Sequence, residues 1–246
     1  MFSFLKNHPF AVEAFFESSM VFTFSAPKEE LKHLIPECLE LDTFNDQYAF
    51  VAAALVQTKN LRPKNFPKIL GNDFFLIGYR VFVRYTNNAG KRLRGLYILK
   101  SETDKKKMEF FGNIFTHYRY TTTDIKQRRG NSSTTISSIT SCFEIEIDEE
   151  ESNIELPEHS PFSNWKEARR FAGPLPFTFT YQPKTKTVLI IEGVRENWQP
   201  QPLKVLRYNI SFLDSLNIKN LQLANAFVVR QVPYYWKKGR KEKWKG

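Results

Sequence analysis

Short stretches of alternating apolar and polar residues, together with one nearly unbroken apolar run, predict more strand than helix along this chain. Met20–Ser25 (MVFTFS) alternates and predicts a strand. Pro27–Ile35 follows as a helix, with proline suited to its first turn, Leu31, Leu34 and Ile35 on one face, and Pro36 ending it. Gln47–Gln57 (QYAFVAAALVQ) is almost continuously apolar and predicts a strand buried on both faces. Beyond a proline-punctuated loop, Phe74–Tyr85 and Leu93–Ser101 flank Thr86–Lys91, a turn rich in Asn and Gly, and so predict a hairpin.

Phe110–Thr123, Ser132–Ile147, Phe177–Tyr181, Thr187–Val194 and Leu203–Ile210 supply further strands. The second of these ends in FEIEI, the alternation of a strand with one wet face. Ser160–Phe171 predicts a second helix, capped by Ser160 and closed by Gly173. Leu213–Ala226 reads as a third helix or a helix–strand junction. With no internal repeat or low-complexity linker, the chain reads as one domain over residues 1–236 and a basic, flexible tail over 237–246.

Composition reinforces the strand reading. The 246 residues include 23 Phe and 10 Tyr but only 10 Gly, and aromatic side chains suit a pleated surface. A chain of this length can bury a core without covalent staples. Its two cysteines, Cys38 and Cys142, are too few for a disulfide framework or a four-cysteine zinc site and read as reduced thiols. Lys6, His8, Pro9 and Glu13 interrupt the N-terminal apolar residues, so no signal-peptide core is expected there. No stretch approaches the ~20 apolar residues of a membrane span. The expected location is the cytoplasm.

The net charge of +10 is unevenly spread. Six basic residues and one acid occupy the last ten positions, while Ser141–Ser160 holds eight acids, Glu149, Glu150 and Glu151 among them, and no Lys or Arg. That is a solvated terminus beside an acidic loop rather than a uniformly basic surface, so neither nucleic acid nor membrane is an expected partner. Phosphate-loop, dinucleotide-turn and nucleophile-elbow motifs are all missing. The four histidines occur singly, and no metal or cofactor is expected.

Candidate chemistry concentrates in two places. In GYRVFVRY, Arg80, Phe82 and Arg84 share one strand face, opposite Tyr79, Val81, Val83 and Tyr85. An arginine pair at that spacing either faces water or clamps a carboxylate with forked hydrogen bonds. In the next strand Tyr97 lies on one face and Lys100 on the other. Lys100, within an apolar strand, is the candidate for imine formation with a ketone, the alternative being a strand-end lysine reaching solvent. The segment GNIFTHY adds Asn113, His117 and Tyr118, side chains able to donate hydrogen bonds or move protons.

APKEELKHLIPECLELDTF resembles the N-terminal helix and following segment of acetoacetate decarboxylases, with Pro36, Glu37, Leu39, Glu40 and Asp42 matching a Pro-Glu-x-Leu-Glu-x-Asp stretch. The later order resembles the YqjF-like uncharacterised branch of that superfamily. It comprises LRPKNFPK, GYRVFVRY, a Gly-x-Tyr strand (Gly95, Tyr97), NWKEARRF, Trp198 and PYYWKKG. The resemblance spans most of the chain. It implies an α+β, mainly antiparallel β fold: an acetoacetate decarboxylase-like β-cone with flanking helices and an interior cavity. It also implies that Arg80 lines that cavity, and it leaves Arg84 open.

Family decarboxylases carry a Gly-Arg-Glu segment followed by Pro-Lys-Lys, whose first lysine forms the imine. Here the corresponding region is FFGNIFTHYRY, with His117 and Tyr118 near the lysine positions and Glu17 near a family arginine. The leading expectation is therefore a binder of a small carboxylated or carbonyl-bearing, anionic molecule. Arg80, Arg84, Tyr97 and Asn113 would contact the ligand, with Lys100, His117 and Tyr118 as the reactive candidates. A lyase or isomerase acting on a keto acid is one rival; an interaction protein using its basic tail is another. Assembly into a homo-oligomer is compatible with each.

Overall fold

The computed structural model describes residues 5–148, 153–173 and 175–245. Glu149, Glu150 and Glu151 of the acidic stretch lie outside the described residues, as does Gly246 of the expected tail. A 3-10 turn at Leu5–Asn7 precedes the long strand β1 (Val12–Pro27), helix α1 (Lys28–Leu31), a 3-10 turn at Lys32–Leu34, and β2 (Glu40–Leu41). Strands β3 (Tyr48–Pro63), β4 (Asn72–Thr86) and β5 (Arg92–Thr103) follow. Helix α2 (Lys106–Phe115) leads to β6 (Tyr120–Thr122), β7 (Lys126–Arg129), β8 (Ser133–Ser138) and β9 (Phe143–Asp148). The chain finishes with α3 (Trp165–Ala172), β10 (Phe177–Gln182), β11 (Thr187–Arg195), β12 (Gln201–Pro202), β13 (Lys204–Ile210), α4 (Ser211–Asp214), β14 (Gln222–Trp236) and β15 (Arg240–Lys243).

Hydrogen bonding runs β14-β1-β3-β4-β5-β10-β11, and Gly193–Arg195 of β11 then pair with Tyr234–Trp236 of β14. Seven strands thus close into a ring, antiparallel except where β10 meets β5. Closure leaves few unpaired strand edges. The antiparallel sheet β13-β9-β8-β7 forms a second layer.

Residues paired across a ladder share a face. Val51, Ala53 and Leu55 of β3, with Ile77 and Tyr79 of β4, pack with Ile136, Ile145 and Ile147 of the second sheet. The opposite face of the same strands carries Phe50, Ala52 and Phe82 against Phe162, Ala168 and Ala172 of the α3 region. Burial on both faces explains the continuous apolar run in β3, and its alanines allow close approach by both layers. Phe74 packs with Met108 of α2 and with Tyr120 farther along the face that carries Phe82.

Several elements differ from the sequence expectation. Phe110–Thr123 is not one strand: its first half continues the helix α2, which buries Met108 and Gly112 and leaves Phe110 exposed. An aromatic-rich segment with helical spacing resembles a strand until its partner surface is known. Ser132–Ile147 is a hairpin rather than one strand, turning at Cys142, whose φ is +49°. The second helix starts at Trp165 with Asn164 as its cap, the side chain accepting from the Glu167 N–H at 2.9 Å. β1 begins eight residues before the expected Met20, whereas Leu213–Ala226 is the helix–strand junction of the two readings, running from the end of α4 through a turn into β14.

The expected flexible tail is also corrected. Arg240–Lys243 pair with Thr187–Ile190 of β11, Trp244 packs edge-on against Tyr181, and Lys237 forms an ion pair with Glu192 at 2.8 Å. The alternating RKEK pattern offers few apolar residues to mark a strand; it forms because β11 presents an open edge. Among the described residues no helix is long and apolar enough to cross a membrane.

This C-terminal segment is joined to the N-terminus through His8, whose carbonyl accepts from the Gly239 N–H at 2.8 Å. His8 is buried, its Nδ1 lacks a partner, and burial lowers its pKa from 6.5 to about 4. Its neutral form is the one the fold favours. The stability is fully present above the unfolded pKa of 6.5 and is lost as pH falls toward 4, because only the unfolded chain binds the proton in that window. The loss amounts to about 3 kcal/mol at most. His8→Asn keeps a side chain that tolerates the left-handed φ of +52° but does not titrate. Urea melts of both proteins at pH 7.5 and 4.5 are expected to show the larger acid loss in the wild type; equal losses would remove this role from His8.

Candidate functional site

Arg80 lies on the β4 face that also carries Gly78 and Phe82, paired with Ala52 on one side and Ile98 on the other. Its guanidinium folds back across Gly78, where an added Cβ would stand 3.2 Å from Nη2 and 3.3 Å from Nε. The absence of a side chain at Gly78 is what leaves room for this conformation. Nε is sealed from solvent and has no hydrogen-bond partner, and Arg80 makes no ion pair among the described residues. Desolvation is the largest influence on it, pulling its pKa below the usual arginine value. The residue nonetheless retains some accessible surface.

The groups that bear most on the charge of Arg80 are Tyr234, Tyr120, Tyr118 and Arg195, with no carboxylate among them. Helix α2 positions two of these. Asn113 donates from Nδ2 to the Tyr120 carbonyl and accepts the Tyr120 N–H at Oδ1, both at 2.8 Å. The Tyr120 ring lies against Gly112, where a Cβ would come within 2.4 Å of it. Arg119, at φ +54°, reverses the chain between the two tyrosines, whose rings meet edge-on at 6.2 Å. Burial raises the pKa of Tyr120 to about 12 and pushes Tyr118 up as well, so both phenols keep their protons at neutral pH and serve as donors. Thr178 partly offsets the rise at Tyr118.

Across the ring, Arg195 and Tyr234 sit side by side where β11 meets β14. Arg195 Nη2 donates to the Leu175 carbonyl at 2.9 Å and to the Tyr234 hydroxyl at 3.3 Å. Its guanidinium lies 4.7 Å from the Trp198 ring centroid. Gly193 accommodates the Tyr234 hydroxyl, which stands 2.0 Å from where a Cβ would be.

The other expected site residues lie elsewhere. Lys100 pairs with Tyr79, opposite the face of Arg80, because a bulge between Tyr79 and Arg80 shifts the register. Its Nζ contacts Glu102 at 2.9 Å and lies 5.2 Å from the Phe212 ring centroid. Tyr97 also faces away from Arg80, paired with Val81. Arg84 shares the Arg80 face, but its Nε donates to Asp42, which also accepts from Arg94 Nε at 2.6 Å. It is therefore held as a structural residue. His117 contacts Gln182 at 3.1 Å, and its pKa is lowered by burial and by Lys6, Arg119 and Lys241, so the ring accepts from the amide. Asn113 secures the Tyr120 backbone through both of its amide atoms. Arg80 and Tyr118 alone, of the seven candidates, come together.

Arg195, Tyr234, Tyr120 and Trp198 were not anticipated. One signal was available: Gly78-Tyr-Arg80 and Gly193-Val-Arg195 repeat a Gly-x-Arg pattern, in which the bare glycine and the arginine share a strand face. Two surface hollows of ≈ 430 and ≈ 520 Å³ do not include Arg80 in their linings; the first is lined by Arg84 and Arg92, the second by Arg62 and Tyr234.

The DUF2071 family model, described as an uncharacterized conserved protein (COG2071), matches residues 16–241. Comparison with curated proteins returns no significant match. Among solved structures, the acetoacetate decarboxylase of Legionella pneumophila superposes with a TM-score of 0.56 at 12% identity, covering 94% of this chain and 87% of that one. An acetoacetate decarboxylase-like enzyme from Sphingomonas wittichii RW1 gives 0.54 at 8% identity, with 97% and 94% covered. The enduracididine biosynthesis enzyme MppR, complexed with pyruvate, gives 0.51 at 10% identity, with 95% and 90% covered. At these identities the likeness is one of fold.

Proposed function

Since the chain belongs to the DUF2071 family and carries an acetoacetate decarboxylase-like fold, we propose that it binds a small carboxylate-bearing molecule at Arg80. The observation that carries this reading is a desolvated guanidinium with neither a counter-ion nor a hydrogen bond among the described residues. Buried charges are ordinarily paired, and leaving one unpaired costs several kcal/mol. Such a cost is sustained where a ligand supplies the missing charge. The Arg80 fork suits a planar carboxylate, and neutral Tyr118 can donate to a neighbouring carboxylate or carbonyl oxygen. Pyruvate bound to MppR shows that a protein of this fold accommodates a small keto acid, which favours the same ligand class here.

The reading involves no imine. Lys100, engaged with Glu102 on the opposite face, has no path to a carbonyl held at Arg80. The keto-acid lyase or isomerase alternative assigned reactivity to Lys100 or His117, and both lie away from Arg80, so it loses its main support. The interaction-protein alternative relied on a free basic tail, and that segment is a strand.

Titrating pyruvate against the full chain tests the proposal by thermal shift. The melting temperature is expected to rise with ligand concentration, as it does when a ligand binds only the folded state. Sodium borohydride added to the saturated protein is expected to leave its intact mass unchanged. A reduced adduct on Lys100 would overturn the imine-free mechanism, and no stabilisation at tens of millimolar by any short carboxylate would overturn the binding itself.

A further inference from the structure

Near Arg80 lies a second guanidinium that carboxylate binding at Arg80 leaves uncompensated. No carboxylate pairs with Arg195 among the described residues. Its Nη2 is committed to Leu175 and Tyr234, but its Nε is buried without a partner. Trp198, whose ring lies against that guanidinium, has a buried indole Nε1–H that is likewise unpartnered. Two orphaned donors thus adjoin one another, and an indole N–H can only donate. Buried polar groups are satisfied in the great majority of cases, so adjacent unsatisfied donors mark a place for an acceptor.

The two arginines are separate anchors. Arg80 is laid over Gly78 on β4, whereas Arg195 is tied to a carbonyl and a hydroxyl at the β11–β14 seam. Strands β5 and β10 intervene between β4 and β11. Tyr234 nevertheless adjoins Arg195 and also acts on the charge of Arg80, as Arg195 itself does. One carboxylate would leave one of the two guanidinium groups without a counter-ion among the described residues. Two carboxylates on a short carbon chain would neutralise both ends.

We infer that Arg195 and Trp198 form a second acid-binding point facing Arg80, so that the ligand is a small dicarboxylic acid with one carboxylate on Arg80 and the other on Arg195. This rests on carboxylate binding at Arg80 and specifies its substrate class. Arg195 then does for the far carboxylate what Arg80 does for the near one, and Trp198 supplies an additional neutral hydrogen bond.

Calorimetric titration of the full chain with 2-oxoglutarate and 2-oxopentanoate is the test, since the two differ only in a terminal carboxylate or methyl. 2-Oxoglutarate is expected to bind at least about tenfold tighter, a difference of about 1.4 kcal/mol. Arg195→Gln is expected to lower the 2-oxoglutarate affinity at least about tenfold and so remove that preference, and Trp198→Phe to reduce it severalfold. Should Arg195→Gln not fold, Arg195→Lys keeps the charge without the fork and is expected to retain only part of the preference. Equal affinities in the wild type, or a preference unchanged by these substitutions, would overturn the inference and leave the Arg80 reading standing. Binding of neither acid would overturn both.

Discussion

Arg80→Met is expected to abolish carboxylate binding and, in the same protein, to raise the melting temperature. Most substitutions at a half-buried strand position destabilise. Here the replaced group is a desolvated charge with no partner, so the wild type carries a cost that an apolar side chain of similar length removes. Replacing buried ionic groups by well-packed apolar ones has stabilised proteins by about 1–4 kcal/mol. Unbranched methionine fits irregular space such as that over Gly78. The expected gain is in the lower half of that range, because Arg80 retains some accessible surface. Removing one partner of a desolvated charge pair costs about 2–5 kcal/mol of binding, so pyruvate affinity should fall by roughly thirtyfold or more. Differential scanning calorimetry without ligand and isothermal titration with pyruvate read the two effects separately. A lower melting temperature combined with intact binding would make Arg80 a structural residue and falsify the site.

The opposite result is expected at Asp42, whose side chain is fully buried and accepts from both Arg84 and Arg94. Its N–H donates to the Phe82 carbonyl at 2.9 Å, Arg84 Nη2 reaches the Thr43 carbonyl at 3.3 Å, and Arg94 Nη2 reaches the Phe171 carbonyl at 2.9 Å. This one carboxylate therefore joins the β2 segment to β4, β5 and the end of α3. Asp42→Asn preserves the shape but removes the charge and turns an amide NH₂ toward an arginine. Breaking a buried ion pair costs about 3–5 kcal/mol. Because both arginines keep solvent contact, about 2–4 kcal/mol is expected, a fall of roughly 4–16 °C for a chain of this size. Pyruvate affinity at temperatures where the variant is folded should be unchanged, since Arg84 is occupied by Asp42 rather than by ligand. A weakened affinity with unaltered stability would return Arg84 to the binding site.

The strand content of the chain was legible because burial leaves a local trace. The two-sided apolar run at Ala49–Val56 and the aromatic alternation from Phe74 to Tyr85 both read as strands and are strands. The alternation also separates Arg80 from Tyr79 without reference to any neighbour, since successive side chains leave a strand in opposite directions. Helix α2 was hidden because its aromatic residues match a strand's composition while its burial is confined to Met108 and Gly112. The last strand was hidden for a related reason: RKEK is held by an edge of β11 that lies about fifty residues away in the chain.

The candidate site divides along the same line. By itself the sequence determined a β-rich chain on the decarboxylase-like plan and an arginine at position 80 on a definite strand face. Only the tertiary structure decided that a bulge turns Lys100 to the far side, that Asp42 claims Arg84, that His117 turns to Gln182, and that Arg195, Tyr234 and Trp198 arrive from the other side of the ring. The physical reason is that facing and periodicity depend on neighbouring backbone angles, whereas the absence of a counter-charge depends on every group that closure of the ring brings near.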